Sequence, residues 1–393
     1  MSSQQRAFVT GAIIRWARER ARIKQDQIAR TLHVPTDTIA SWELEKELPT
    51  IHQAERLAET LHIPLGYLFL PSPPVEKLPL PDFRTIRSAE AGVPSAALID
   101  LLNDVMVKQE WYREFLLEDG AEPLPFVGRF SIQDGTEQVA ENIRQALKID
   151  TTLRQQCNSW SEFFRTIIRR AESAGILVMR AGTVSGNSRR PLSIVEFRGF
   201  AISDPIAPVV FVNVRDWPVA QLFTLVHELA HIWIGAGGIS NETLEDPTVI
   251  GHQMVERFCN NTAAEVLVPR VEFLQVWSKD RTFDDNIDIA TSGFKVSSLV
   301  AARRAFDLQM ISRRQYMEHF AMVEQRFKNR PPKKKAGGHG VLNIIARNGE
   351  TLSSTVVSNA LEGRMLYRDA ARLLHVSVPA VRKIAEYLAK KAA

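Results

Sequence analysis

Phe223-Thr-Leu-Val-His-Glu-Leu-Ala-His-Ile-Trp-Ile234 is the stretch from which the rest of the chain can be read. Its histidines, His227 and His231, are four residues apart. On a helix that spacing leaves them about 40° apart, so both imidazoles leave one face and can grip a single Zn²⁺. Glu228 sits about 100° round from His227, placed to take a proton from a zinc-bound water without itself completing the coordination. Leu222, Phe223, Leu225, Val226, Leu229, Ile232, Trp233 and Ile234 make the segment apolar almost all round, as a buried helix must be. His227, Glu228 and His231 are its only ionisable side chains. Burying them without partners costs several kcal/mol, and a metal satisfies them together.

Working outward, the helix is expected from about Pro218 to Ile234, with Asp216 as its cap, Pro218 in the first turn and Gly235 as its stop. Upstream, Ile176–Thr183, Ile194–Ile202 and Val209–Val214 are β-rich runs broken by Gly, Ser and Pro, which read as three strands. Downstream, a helix from about His252 to Val268 ends at Pro269 and offers a third ligand in Glu256 or Glu265. Nine residues separate these, so they lie on opposite faces and only one can meet the metal. Glu256 shares a face with Asn260, Ala263 and Leu267, and Cys259 nearby is a soft-ligand alternative. Periodicity leaves the choice open.

The run 223–231, followed by Glu256-Arg-Phe-Cys-Asn260 and Ala263-Ala-Glu-Val-Leu-Val-Pro269, resembles the ImmA/IrrE family of zinc metallopeptidases. Arg198-Gly-Phe-Ala-Ile-Ser203 and Val212-Asn213 are similar to that family too, and the resemblance covers roughly residues 175–315. It implies a metal set of His227, His231 and Glu256, with Glu228 as general base. It also implies that the strand carrying Arg198, Gly199 and Phe200 borders the cleft, where an extended substrate could add to its edge. His252, Asn213 and Tyr316 are the candidates for stabilising the oxyanion.

Residues 12–69 alternate short helical patterns with turns. Lys24–Glu43 has the helix-turn-helix cadence: Ile28, Ala29 and Leu32 pack the first helix, Val34 fills the turn, and Ile39 and Trp42 anchor the second. The whole stretch resembles XRE-type DNA-binding domains. The resemblance implies double-stranded DNA as partner, with Gln25 at a phosphate and Thr36, Asp37, Thr38 and Ser41 at base edges. The second helix carries no Lys or Arg. Phosphate contacts would therefore come from Arg15, Arg18, Arg20, Arg22 and Lys24, an arrangement that suits a homodimer.

Charge is uneven along the 393 residues: net +1 over 1–70, −7 over 71–325 and +10 over 326–393. Leu366–Leu388 has a second helix–turn–helix cadence inside that basic end, and an anionic partner is expected there. No internal repeat stands out. Pro71, Pro73, Pro74, Pro79 and Pro81 mark a stiff linker, and Lys328–Gly340 a basic hinge. The expected division is 1–70 helix-turn-helix, 71–155 linker and helical connector, 156–284 peptidase, 285–328 helical extension and 341–393 basic helical unit. The fold class is α+β and mostly helical: an all-α N-terminal module, a central zincin-like domain with a small three-stranded sheet, and a helical C-terminal part.

Composition (45% hydrophobic, 24% charged) excludes a disordered or collagen-like chain. Two cysteines are too few for a disulfide framework, and neither a signal peptide nor an 18-residue apolar run occurs, so a cytoplasmic protein is expected. The first function these features imply is a DNA-binding regulator whose zinc peptidase cuts a specific protein. The alternatives are an autoregulator and antitoxin that docks a toxin nuclease, and a small-ligand sensor using the zinc cleft.

Overall fold

The computed structural model describes residues 5–74, 76, 80, 94–240, 254–328 and 340–392. These gather into two compact units. One runs to residue 76 and takes in the start of the fifth helix through Leu102; the other begins at Asn103.

The first unit is built from α1 (Gly11–Arg20), α2 (Gln25–Leu32), α3 (Thr36–Glu43) and α4 (Ile51–Leu61). Ile13, Ile14, Ile28, Leu32, Ile39, Trp42 and Leu57 form its core, at the apolar positions that helical spacing predicts. His33 ends α2 in the left-handed conformation. Thr50 and Gln53 cap α4 reciprocally, each side chain taking the other's backbone N–H. Glu45 accepts the Gly11 N–H at 2.7 Å, one of the donors that α1 leaves unpaired at its N-terminus. A Cβ at Gly11 would lie 2.5 Å from the Glu43 carbonyl oxygen, so only glycine admits that approach.

After α5 (Ala96–Glu118) the second unit continues through α6 (Thr136–Leu147), α7 (Thr151–Gln156) and α8 (Trp160–Ser173) into β1 (Leu177–Ala181), β2 (Gly199–Ile202) and β3 (Val209–Asn213). Then come α9 (Pro218–Trp233) and β4 (Gly238–Ser240). The sheet order is β1-β3-β2-β4, parallel between β1 and β3 and antiparallel elsewhere. The fourth strand is absent from the sequence reading because three residues are too few to show a period of two. Its presence corrects a second expectation. β2 is paired on both sides, to β3 and β4, and is not an edge along which a peptide can add.

Four helices follow β4 and close the domain core: α10 (Met254–Leu267), α11 (Arg270–Val276), α12 (Phe283–Phe294) and α13 (Ser298–Asp307). Beyond them run α14 (Arg313–Lys328), α15 (Gly340–Asn348), α16 (Glu350–Leu361), α17 (Tyr367–Leu373) and α18 (Val378–Ala392). The mostly helical α+β class holds. Residues of α6 and α7, in the stretch read as a connector, share one apolar core with α8, α9, α10 and α12. Phe126 stacks on Trp233 with ring centroids 4.4 Å apart, and Asn142 accepts the Trp233 indole N–H at 2.9 Å. Among the described residues no helix is long and apolar enough to cross a membrane.

Candidate metal centre

Helix α9 starts as Pro at the first position requires, but its cap is Trp217 rather than Asp216. Asp216 is drawn off by Arg198: its Oδ1 accepts from Arg198 Nη1 at 2.6 Å and from the Trp217 N–H at 2.8 Å. Gly235 follows the helix with φ +66°, as a stop glycine should.

The packing of α10 on α9 brings Glu256 to the two histidines. His227 Nε2 and His231 Nε2 are 3.0 Å apart. The Glu256 carboxylate reaches the first at 3.1 Å and the second at 3.2 Å. His227 is 3% exposed, Glu256 1%, and His231 and Glu228 fully buried. Among the described residues, His227, His231 and Glu256 are the one group of three or more such side chains arranged to hold a metal, with all donor atoms within 4.8 Å of one another.

Tautomers decide what can sit between them. His231 Nδ1 lies 2.9 Å from the Ala236 carbonyl, which can only accept, so this nitrogen carries the proton. His227 Nδ1 faces Asn260 Oδ1 at 3.0 Å in the same way. Both Nε2 lone pairs then converge on each other and on a carboxylate, an arrangement that repels unless a cation fills it. Two imidazole nitrogens, one carboxylate oxygen and outer partners holding each ring form the donor set of a catalytic zinc site. The residues fit the metal.

Burial works to raise the Glu256 carboxyl, whereas His227 and His231 in their protonated forms hold it down at about 2, the direction in which a cation held between the neutral rings would also act. Burial, then the Glu256 and Glu228 charges, push the Cys259 thiol well up, so it stays protonated and outside the donor set. Glu265, the other candidate from α10, is committed elsewhere: Arg304 of α13 donates to its Oε2 and the Arg270 N–H to its Oε1 at 3.0 Å.

Of the substrate-binding expectations, Arg198 braces Asp216. Phe200 is fully buried and stacked on Phe211 at 4.9 Å. Gly199 has a different use. A Cβ there would lie 2.6 Å from Glu228 Oε1 and 2.9 Å from Thr224 Cγ2, so the bare glycine backbone is what leaves room for the Glu228 carboxylate. Asn213 spends its amide on Phe197 O and accepts from the Arg215 N–H. Tyr316 is fully buried beside Phe306, and His252 lies outside the described residues. Sequence reasoning missed the task of Asn260. The available signal was its place four residues beyond Glu256, on the same face of α10.

In the first unit, Thr36 and Asp37 are exposed and Thr38 and Ser41 half-buried on α3. The expected phosphate contacts are largely engaged within the chain. Gln25 Nε2 donates to Glu43 at 2.9 Å, and Arg18 holds the same carboxylate at 2.6 and 3.2 Å. Arg15 lies 3.8 Å from it. Arg20 pairs with Glu76 and Asp100.

Residues 171–306 match a peptidase family model described as the IrrE N-terminal-like domain, and residues 14–68 match a helix-turn-helix model. The chain joins a helix-turn-helix domain to an IrrE-like domain. The IrrE-like match contains the whole His227–His231–Glu256 cluster. Residues 348–387, which span α16, α17 and most of α18, match a model described as a domain of unknown function. No curated protein and no solved structure matches the chain.

Proposed function

We propose that this chain is a DNA-binding regulator whose IrrE-like domain hydrolyses a specific protein. His227, His231 and Glu256 would hold one Zn²⁺. When bound, zinc supplies Lewis-acid polarisation of a peptide carbonyl and lowers the pKa of water to about 7. Glu228 serves as general base, taking the proton from the attacking water and later returning it to the leaving amine. It suits that task by its place beside His227, its burial and the space that Gly199 leaves at its carboxylate. With β2 paired on both sides, an extended substrate is taken along β4, the outer strand that lies beside β2. The peptidase body begins before residue 156, since α6 and α7 complete its core. In the first unit, Thr36, Asp37, Thr38 and Ser41 of α3 meet base edges, and Gln25 acts through Glu43 as scaffold.

The observation that carries the reading is the convergence of two Nε2 lone pairs and a carboxylate, next in sequence to Glu228, at a buried place where α9 meets α10. The test compares new protein N-termini produced in a cell extract by zinc-loaded wild type and by Glu228→Gln. The variant should keep about one zinc per chain and lose all wild-type cleavages. Cleavage that survives Glu228→Gln overturns the assignment, as does a wild-type chain that takes up no zinc.

A further inference from the structure

Two stretches of this chain share one register. Ala29-Arg-Thr-Leu-His-Val34 closes α2 and Ala371-Arg-Leu-Leu-His-Val376 closes α17. In each the histidine is left-handed, with φ 57° at His33 and 50° at His375. In each its N–H donates to the arginine carbonyl, at 3.4 and 3.2 Å, and the valine N–H to the alanine carbonyl, at 3.0 and 2.9 Å. The buried positions also correspond one for one: Ile28, Ala29, Leu32, Ile39 and Trp42 against Ala370, Ala371, Leu374, Val381 and Ile384. Helices α17 and α18 therefore repeat the helix-turn-helix of α2 and α3, with five of the six residues across the turn identical and the flanking core positions matched in burial.

The two copies differ in charge. The first has no cation on its second helix and pairs Arg15, Arg18 and Arg20 internally. The second exposes Arg368, Arg372, Arg382, Lys383 and Lys390. Arg382 and Lys383 stand where α3 has Ala40 and Ser41. Among the described residues Arg372, Lys383 and Lys390 have no carboxylate partner, and Arg382 rests over the Tyr367 ring at 5.6 Å. Glu386 is the acid on that face of α18. The turn is held firmly from behind: Arg347 donates to the Leu374 and His375 carbonyls at 2.9 and 3.0 Å, and His375 Nε2 meets Asp104 at 2.5 Å. A cationic face on a rigid frame is preorganised for a polyanion. At the two positions that match Thr36 and Asp37, this copy has Val378 and Pro379, which offer no hydrogen bond to a base.

We propose that α17 and α18 form a second duplex-DNA contact, in which Arg372, Arg382, Lys383 and Lys390 lie on phosphates and sequence is not read. The occupant is duplex DNA because the frame is a helix-turn-helix and its free charge is positive. The inference does not rest on the peptidase reading.

The test is binding of the full chain to a labelled random-sequence duplex over a range of salt. Arg382→Gln with Lys383→Gln should weaken binding about tenfold or more. It should also flatten the slope of log K against log salt by about 1.8, since each lost phosphate contact contributes about 0.9. Arg372→Gln on α17 should flatten it by about 0.9, and keeps the test decisive if the double variant does not fold. Thr38→Ala on α3 should leave the slope unchanged. Unaltered affinity and slope in the α18 and α17 variants overturn the proposal, as does tighter binding to single-stranded RNA than to duplex. A wild-type chain that binds no random-sequence duplex overturns this proposal and leaves base reading by α3 standing, as does a loss of binding confined to α3 variants.

Discussion

Asn260→Ala tests the metal centre without touching a ligand. The Asn260 side chain is half-buried at the His227 Nδ1, 3.0 Å away, and fixes which ring nitrogen keeps its lone pair. The matching contact on His231 is to a backbone carbonyl, which no substitution removes. Losing such an outer partner costs roughly 10–100-fold in metal affinity, or about 1.4–2.8 kcal/mol. The effect propagates to stability. With free zinc about 1,000 times the wild-type Kd, binding stabilises the wild type by about 4.1 kcal/mol, and the variant should retain only about 1.4–2.7. Competition against a chromophoric chelator gives the affinity directly, and the difference in unfolding free energy with and without zinc gives the second number. Asn260→Asp keeps the acceptor and should bind zinc at least as tightly as wild type. A Kd for Asn260→Ala within about twofold of wild type, with undiminished zinc-linked stabilisation, would refute the argument that His227 binds through Nε2 with Asn260 behind it.

Other outcomes follow from the same geometry. Gly199→Ala should push the Glu228 carboxylate aside and lower proteolysis by roughly 100-fold while zinc content stays at one per chain; full activity would show that the carboxylate tolerates a Cβ 2.6 Å away. Arg304→Ala leaves Glu265 buried without its cation and should cost about 3–5 kcal/mol in unfolding free energy, so a loss below about 1 would count against that pair as a structural anchor. Burial pushes the Glu172 carboxyl from its ordinary 4.5 up to about 7, against the backbone N–H groups of Thr351 and Glu350 and the Arg180 charge that favour its ionisation, with the Glu350 charge adding to the rise. Between those values the folded chain holds a proton that the unfolded chain has lost, so stability should fall by about 3 kcal/mol as pH rises from 4.5 to 7. Glu172→Gln should flatten that slope in chemical denaturation, and an unchanged slope would place the titration elsewhere.

What could be read from sequence was local. The four-residue spacing of His227 and His231 sets an angle on one helix, whatever that helix packs against. The Ile28, Ala29, Leu32, Val34, Ile39 and Trp42 pattern likewise defines its helix-turn-helix, because each helix and the short turn between them carry their own signals. Periodicity ran out where the deciding partner was distant in sequence. Glu256 and Glu265 are equivalent by periodicity. Arg304 on α13 takes Glu265, and the contact of α10 with α9 delivers Glu256. Asp216 looks like a cap until Arg198 draws on its carboxylate. The repeat of α2–α3 in α17–α18 shows in sequence only across the turn, because beyond it packing preserves burial and neither identity nor size, as at Trp42 and Ile384.

Sequence by itself determined that this chain carries a buried, metal-competent helix and a helix-turn-helix, since both follow from angles within one or two helices. Only the tertiary structure decided that Gly199 makes room for Glu228, that β2 is closed off by β4, and that Arg15, Arg18 and Arg20 face Glu43, Glu76 and Asp100. Each of these depends on which surfaces meet across many residues of chain, and helical or strand periodicity says which side of an element is apolar without saying what covers it.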